Sequence, residues 1–402
     1  MIAYRFLFAI VLSTCCVSQA FSAESFEILT ASNHTLTGRL QSWTAEKLRV
    51  TNENGQTQTL PSEQVVWLRA GNRRPQSVNG GSLVLLANGD RLRGNVVGID
   101  ELSVRMKWSV FSKLPDLEIP FETVRAVLTE IPRLAKPRRR IIAAALKPHA
   151  SQDVIRLKNG DGLTGILLGM TDGEYRLDRS GQELQVPTQD VQAVLLDDEL
   201  VSFPKSEDPR ILLTLADGSW ITLTRWELIA GREIRGHAAC GVDLTIPLGD
   251  VISARIFGGN GVWLTELEPA EYTQTPYLAT RWELRTNRNV LDGFLQHDGR
   301  EFPIGLGQHS KSAVTYRLDK RFRRFRTTIG LDDVAHGRGM AVFLVHVDGR
   351  ERFRSESHTG RRAPESIEVD VTNADTLTLI VEFGPRGDVR DYANWIDPVL
   401  LP

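Results

Sequence analysis

The chain is poor in cysteine, has almost no net charge and offers only one apolar run of any length, at its N-terminus. Each scarcity excludes something. Of three cysteines in 402 residues, Cys15 and Cys16 fall in the N-terminal leader, so Cys240 alone remains and no internal disulfide can form. The domains must therefore rest on hydrophobic cores. Cys240 has only His237 nearby at a metal-ligand spacing, and reads as a buried thiol rather than a zinc ligand or nucleophile. A formal charge of −2 gives no overall field toward nucleic acid or an anionic membrane. No H-E-x-x-H, G-x-S-x-G, cysteine–histidine metal spacing or phosphate-cradling glycine loop is present, which removes the corresponding hydrolases and nucleotide enzymes. Beyond the leader no segment approaches membrane-spanning length, so no transmembrane segment is expected in the mature chain.

What is present begins with that leader. Arg5, the apolar "FLFAIVL" and the small residues of "STCCVSQAFSA" have the order of a secretory signal peptide over residues 1–23, with Ser18-Gln19-Ala20 placing cleavage near Phe21. A secreted or periplasmic location follows as an expectation. "LSTC" ending at Cys15 fits a lipoprotein signal poorly, because threonine precedes the cysteine.

A degenerate four-fold repeat follows. "ILTASNHTLTGRL", "LVLLANGDRLRGNV", "VIRLKNGDGLTGIL" and "ILLTLADGSWITLT" are each an apolar strand, an Asn/Asp/Gly turn and a second strand. Each copy closes with a proline four residues before a valine: Pro61/Val65, Pro120/Val124, Pro187/Val191 and Pro247/Val251. Stretches such as "EYRLDRSGQELQVP" add two further alternating runs, making about five short strands per copy. The expectation is an all-β chain of tandem small β-barrel-like (Sm-like) units at 24–71, 80–132, 151–200 and 209–258. The fourth is the most eroded, lacking the glycine found at Gly38, Gly94 and Gly165. Between copies two and three, "PRLAKPRRRIIAAALKPHA" is expected to be a solvated basic Pro/Ala linker (133–150) with a short helix.

From Val262 the pattern changes. An aromatic-rich lead-in with little periodicity precedes the alternating strands "AVTYRL", "MAVFLVHVDG", "SIEVDV" and "TLTLIVEFG", which read as a β-sandwich over 262–402. The blocks "GLGQHSKSAVTYRL", "FRRFRTTIGLDD", "GRGMAVFLVHVDGR" and "GDVRDYANWIDPVL", in this order, resemble the NPCBM family of carbohydrate-binding modules. The resemblance covers about the last third of the chain. It implies a jelly-roll-type sandwich and sugar binding, often in secreted bacterial proteins.

The family blocks fall on Gly305, Gly307, His309, Asp332, Asp333, Asp348, Gly349, Asp391, Trp395 and Asp397. Gly307 reads as a turn, Asp348-Gly349 as a hairpin turn and Trp395 as core. Sugar recognition needs hydroxyl-directed polar groups and an aromatic face, and Asp332, Asp333, Arg390, Asp391, Tyr392 and Asn394 supply those types in expected loops. Related sugar-binding sandwiches often hold calcium, so the same aspartates are candidate ligands for a structural Ca²⁺. The adjacent pair His309-Ser310 hints at nucleophilic catalysis, but adjacency is not triad geometry, and no catalytic residues are assigned. "RFRRFR" (Arg321–Arg326) reads as a basic strand edge with its phenylalanines inward rather than a nucleic-acid face. The expected function is non-catalytic recognition of a glycan or cell-envelope polysaccharide, with the repeats as a spacer or a docking surface for a protein partner. The alternative is an envelope adaptor whose sandwich binds protein instead.

Overall fold

The computed structural model describes residues 25–71, 73–76, 81–108, 116–147, 152–277, 280–385 and 387–402. The expected signal peptide, with Cys15 and Cys16, lies outside these residues. The described chain is all-β apart from short 3-10 turns and one α-helix, α1 (Ala135–Leu146). No helix is long and apolar enough to cross a membrane.

The first two-thirds repeats one strand path four times. In unit 1 the strands are Ser25–Thr30, Thr35–Trp43, Lys47–Thr51, Thr57–Pro61 and Val65–Arg69. The first strand lies between the second and the fifth, and the second, third and fourth follow as an antiparallel meander. The proline–valine spacing has a simple cause. Each proline ends the fourth strand and starts a single 3-10 turn, and the valine, buried in every unit, opens the fifth strand. Proline suits that place because its fixed φ starts the turn and the missing N–H leaves no ladder bond unmade.

The fourth unit is compensated rather than eroded. Gly165 faces Leu177 across neighbouring strands, and a Cβ there would collide with the Asp178 carbonyl. In unit 4 the large residue has moved to the second strand as Leu223 and the glycine to the third as Gly236, where a Cβ would sit 2.6 Å from Leu223 Cδ1. The pair of sizes is kept and its direction reversed, as close packing requires.

The units do not hang separately. The fifth strands of units 1 and 4 pair with each other (Ala254 opposite Leu68), as do those of units 2 and 3 (Val127 opposite Val194). Contacts at Met170–Ile99 and Trp220–Arg91 join the rest, so twenty strands form one hydrogen-bonded array with one continuous core.

The linker expectation needs correction. Helix α1 buries Ile141, Ile142, Ala145 and Leu146 against a second apolar cluster, so it is docked rather than solvated. That cluster also takes Leu29, Leu83, Leu195 and Trp220 from the four units and Phe294, Ile304, Val399 and Leu401 from the C-terminal region.

Residues from Val262 onward form two antiparallel sheets packed face to face. One runs Arg285–Thr286, Gly305–His309, Tyr392–Leu401, Arg324–Leu331, Glu365–Asp370; the other runs Glu271–Gln274, Ser312–Arg317, Thr376–Phe383, Met340–Val347, Arg350–Arg354. Leu306, Phe325, Phe343, Leu379 and Trp395 lie in the core between them. Inside it, the Trp395 indole N–H donates to Gln308 Oε1 at 2.8 Å and the Gln308 amide donates to the Leu379 carbonyl, which satisfies a glutamine with no solvent exposure. Asp348 and Gly349 form the hairpin turn, both with positive φ.

The "RFRRFR" segment also needs correction. Phe322 and Phe325 are buried as expected, but the strand Arg324–Leu331 is interior to its sheet, not an edge. Arg324 pairs with Glu368 and Asp370, and Arg326 donates to Asn33 of unit 1. Cross-strand neighbours and the array consume those charges.

Candidate functional site

Gly305, Gly307, His309 and Asn394 lie on the outward face of the first sheet. Gly307 and Gly330 leave it without side chains, and a strap spanning 287–299 lies directly on it. A Cβ at Gly330 would collide with the His297 ring, and one at Gly307 with Arg288 and Asn289. Gly305 likewise faces Leu295 Cδ1, at 2.8 Å from a Cβ. These glycines admit the strap.

Asp332 holds it there. Its carboxylate accepts from the Gln296 N–H (2.9 Å), Asn289 Nδ2 (3.3 Å), Asn394 Nδ2 (2.7 Å) and the Val334 N–H (3.1 Å). Burial, offset only in part by these hydrogen bonds, pushes its pKa up to about 7. Asp333 accepts from the Asp298 and Gly299 N–H groups and pins the hairpin at the strap's end. Asp391 accepts from Ser310 Oγ (2.7 Å) and the Met340 N–H (2.8 Å), and burial raises it to about 6.

These positions differ from the expected surface loops. Asp332, Asp391 and Asn394 have no solvent exposure, and Tyr392 and Asn394 belong to the C-terminal strand. The three buried groups order loops around the site and do not face solvent. Arg390 and Tyr392 remain half-exposed. Asp397 lies elsewhere: its two carboxylate oxygens meet Arg255 Nε at 2.6 Å and Nη2 at 2.9 Å, and Arg69 Nη2 at 3.0 Å. Burial opposes its ionisation, but the two guanidiniums hold its pKa below the ordinary value. It joins the sandwich to units 1 and 4.

At the start of the C-terminal strand an aromatic group gathers. Tyr392 is directly opposite His309 across the ladder. The His309 ring stacks on Trp282, centroids 4.3 Å apart and planes 1° from parallel, and Tyr392 lies 5.8 Å from His309 and 6.0 Å from Trp282. Trp282 is half-exposed and held by its backbone, whose carbonyl accepts from Tyr272 Oη at 2.9 Å. Burial lowers the His309 pKa, so the ring is neutral at pH 7. Its Nδ1–H donates to the Ser310 carbonyl at 2.7 Å, which leaves Nε2 as an acceptor. The Ser310 hydroxyl donates to Asp391, not to the histidine. Trp282 was invisible to motif reading, because it sits in the aperiodic lead-in; only its residue type in an aromatic-rich stretch pointed to it.

Calcium does not fit these residues. The carboxylates of Asp332, Asp333 and Asp391 accept from N–H and O–H donors, whose hydrogens would face any cation placed there. Among the described residues no group of three or more His, Cys, Asp or Glu side chains could hold a metal ion. Cys240 is buried, and its thiol is pushed up to about 12.

Residues 260–401 match the model of the NPCBM/NEW2 domain. Among curated proteins, a Renibacterium salmoninarum protein provisionally named as an endo-alpha-N-acetylgalactosaminidase is 29% identical over 107 residues, which is 27% of this chain and 7% of that protein. Among solved structures, the CBM51 of Clostridium perfringens GH95 in complex with methyl-galactose is 23% identical, with a TM-score of 0.32 over 35% of this chain and 99% of that one. The tandem CBM51 modules of Sp3GH98 from Streptococcus pneumoniae are 10% identical, with a TM-score of 0.31, covering 90% of this chain and 92% of that one.

Proposed function

We propose that this chain is an exported, non-catalytic glycan-binding protein that recognises a glycan or cell-envelope polysaccharide at the end of its sandwich bearing Trp282, His309 and Tyr392. The match of residues 260–401 to a carbohydrate-binding module family carries this reading. The geometry supports it. Two half-exposed aromatic rings, Trp282 and Tyr392, offer faces for the C–H surface of a sugar, and the buried, neutral His309 ring backs Trp282 and holds it in place. Asp332, Asp333 and Asp391 act here as positioning residues, while Arg390 and Tyr392 stand where a ligand can reach them.

The remaining parts of the reading follow. Export rests on the order of residues at the N-terminus. The strand path in each unit, with a 3-10 turn before the closing strand, supports Sm-like units followed by a jelly-roll-type sandwich. The array is a rigid platform rather than a loose spacer, since its apolar cluster and ion pairs grip the sandwich.

The test is a glycan array probed with the full chain. Trp282→Ala and Tyr392→Ala should each weaken binding to the hits by about tenfold, with unchanged thermal melting. No binding to any glycan, together with a stable protein partner held by the repeat units, would replace this reading with the adaptor.

A further inference from the structure

A cleft of about 480 Å³ opens between helix α1 and the strap of the sandwich, within the roughly 300–1,000 Å³ range of small-ligand pockets. One wall is basic: Arg133, Arg138 and Arg139. The other carries Gln296, Asp333 and His336 from the strap and the loop after Asp332. Ile142 and Phe294, both buried, supply apolar surface between them.

The charges do not cancel inside the cleft. Glu301 also lines it, but its carboxylate is 2.7 Å from the buried Arg91 guanidinium and accepts from Gln296 as well. Asp333 is capped by two backbone N–H groups. On the basic wall, no carboxylate among the described residues lies within 4.0 Å of the Arg133 or Arg139 guanidinium; Arg133 acts on Glu130 from further away, and that carboxylate is already paired with Lys158. The cleft wall is tied by main chain to the strand that carries the aromatic group: the N–H of Asp332, next to cleft-lining Asp333, donates to the Tyr392 carbonyl at 2.7 Å. Burial raises the Tyr392 phenol pKa, and Arg390 and Arg139 lie near enough to oppose that shift.

We infer that this cleft binds the acidic group of an anionic saccharide, a hexuronate carboxylate or a sulfate ester, whose ring extends toward Trp282 and Tyr392. Guanidinium groups suit both anions through paired N–H donors. The basic segment thus belongs to the binding site although it lies outside the family-matched residues. This rests on the glycan-binding reading and assigns the class of glycan.

The experiment is titration of the full chain with three glycan sets: hexuronate polymers, sulfated oligosaccharides and neutral galactose- or N-acetylglucosamine-based oligosaccharides. At least one acidic set should bind more tightly than the neutral set, and the two acidic arms tell carboxylate from sulfate. The double variant Arg133→Gln/Arg139→Gln should lose about tenfold or more in affinity for the acidic set, with neutral binding unchanged. Arg139→Lys, which keeps the charge but loses the paired N–H donors, should retain only part of it, and Arg140→Gln, exposed and outside the cleft, should change nothing. Neutral glycans binding as well as acidic ones, or acidic binding indifferent to the double variant, would overturn the inference and leave the glycan reading intact. Absence of all glycan binding would overturn both.

Discussion

The C-terminal strand Tyr392–Leu401 is held at two points by opposite means. Toward the array, Asp397 is buried between Arg255 and Arg69, and compensating charge keeps it ionised. Toward the candidate site, Asp332 is as fully buried, but amides surround it, and burial raises its pKa to about 7. The same residue type therefore makes a fixed joint at one point of the strand and a pH-sensitive joint at the other. The difference lies in the partners, since a guanidinium offsets desolvation of a carboxylate more completely than an amide does.

Removing the charge at the fixed joint should have the largest effect. Asp397→Ala leaves Arg255, 5% exposed, without its counter-ion, and should lower stability to urea by about 3–5 kcal/mol. Next comes Asp332→Asn, which keeps one acceptor oxygen and turns donors toward a backbone N–H; a loss of about 1–3 kcal/mol is expected. Its pH signature is sharper. Asp332 titrates above the value of about 3.9 for an unfolded aspartate, so between about pH 4 and 7 the native state binds more protons than the unfolded state. The contribution of Asp332 to stability therefore falls as pH rises through that window, and Asp332→Asn should remove that slope. Asp397 has the opposite sign: its contribution is lost as pH drops below about 4. Denaturation midpoints across pH 3–8 for the parent and both variants check this. The smallest effect belongs to Arg69→Ala. The side chain is 39% exposed and Arg255 remains, so a change within about 1 kcal/mol is expected in the same denaturation series.

Much of the array was legible because its signals are local. A proline four residues before a valine encodes a strand end, one 3-10 turn and a strand start, all within one short segment. Pair relationships were not legible. Leu223 read as erosion because its compensating Gly236 sits on a different strand, and only the register brings them together. Ile141 and Ile142 read as linker because the surface they cover is assembled from all four units.

At the candidate site, residue types were readable and exposure was not. Asp332, Asp391 and Asn394 have the chemistry of sugar recognition, yet the strap and loops that bury them come from distant segments of the chain, as the Asn289–Asp332, Ser310–Asp391 and Gln296–Asn394 bonds illustrate with separations of 43, 81 and 98 residues. His309 and Ser310 looked like chemistry by adjacency, and the structure turns the two side chains to different partners.

The most direct measurement is a titration of the full chain with a glycan from the array, run beside the same titration of Trp282→Ala. Saturable binding by the parent and about tenfold weaker binding by the variant, at an unchanged melting temperature, are expected. Equal affinity of parent and variant would contradict the placement of the site at Trp282, His309 and Tyr392.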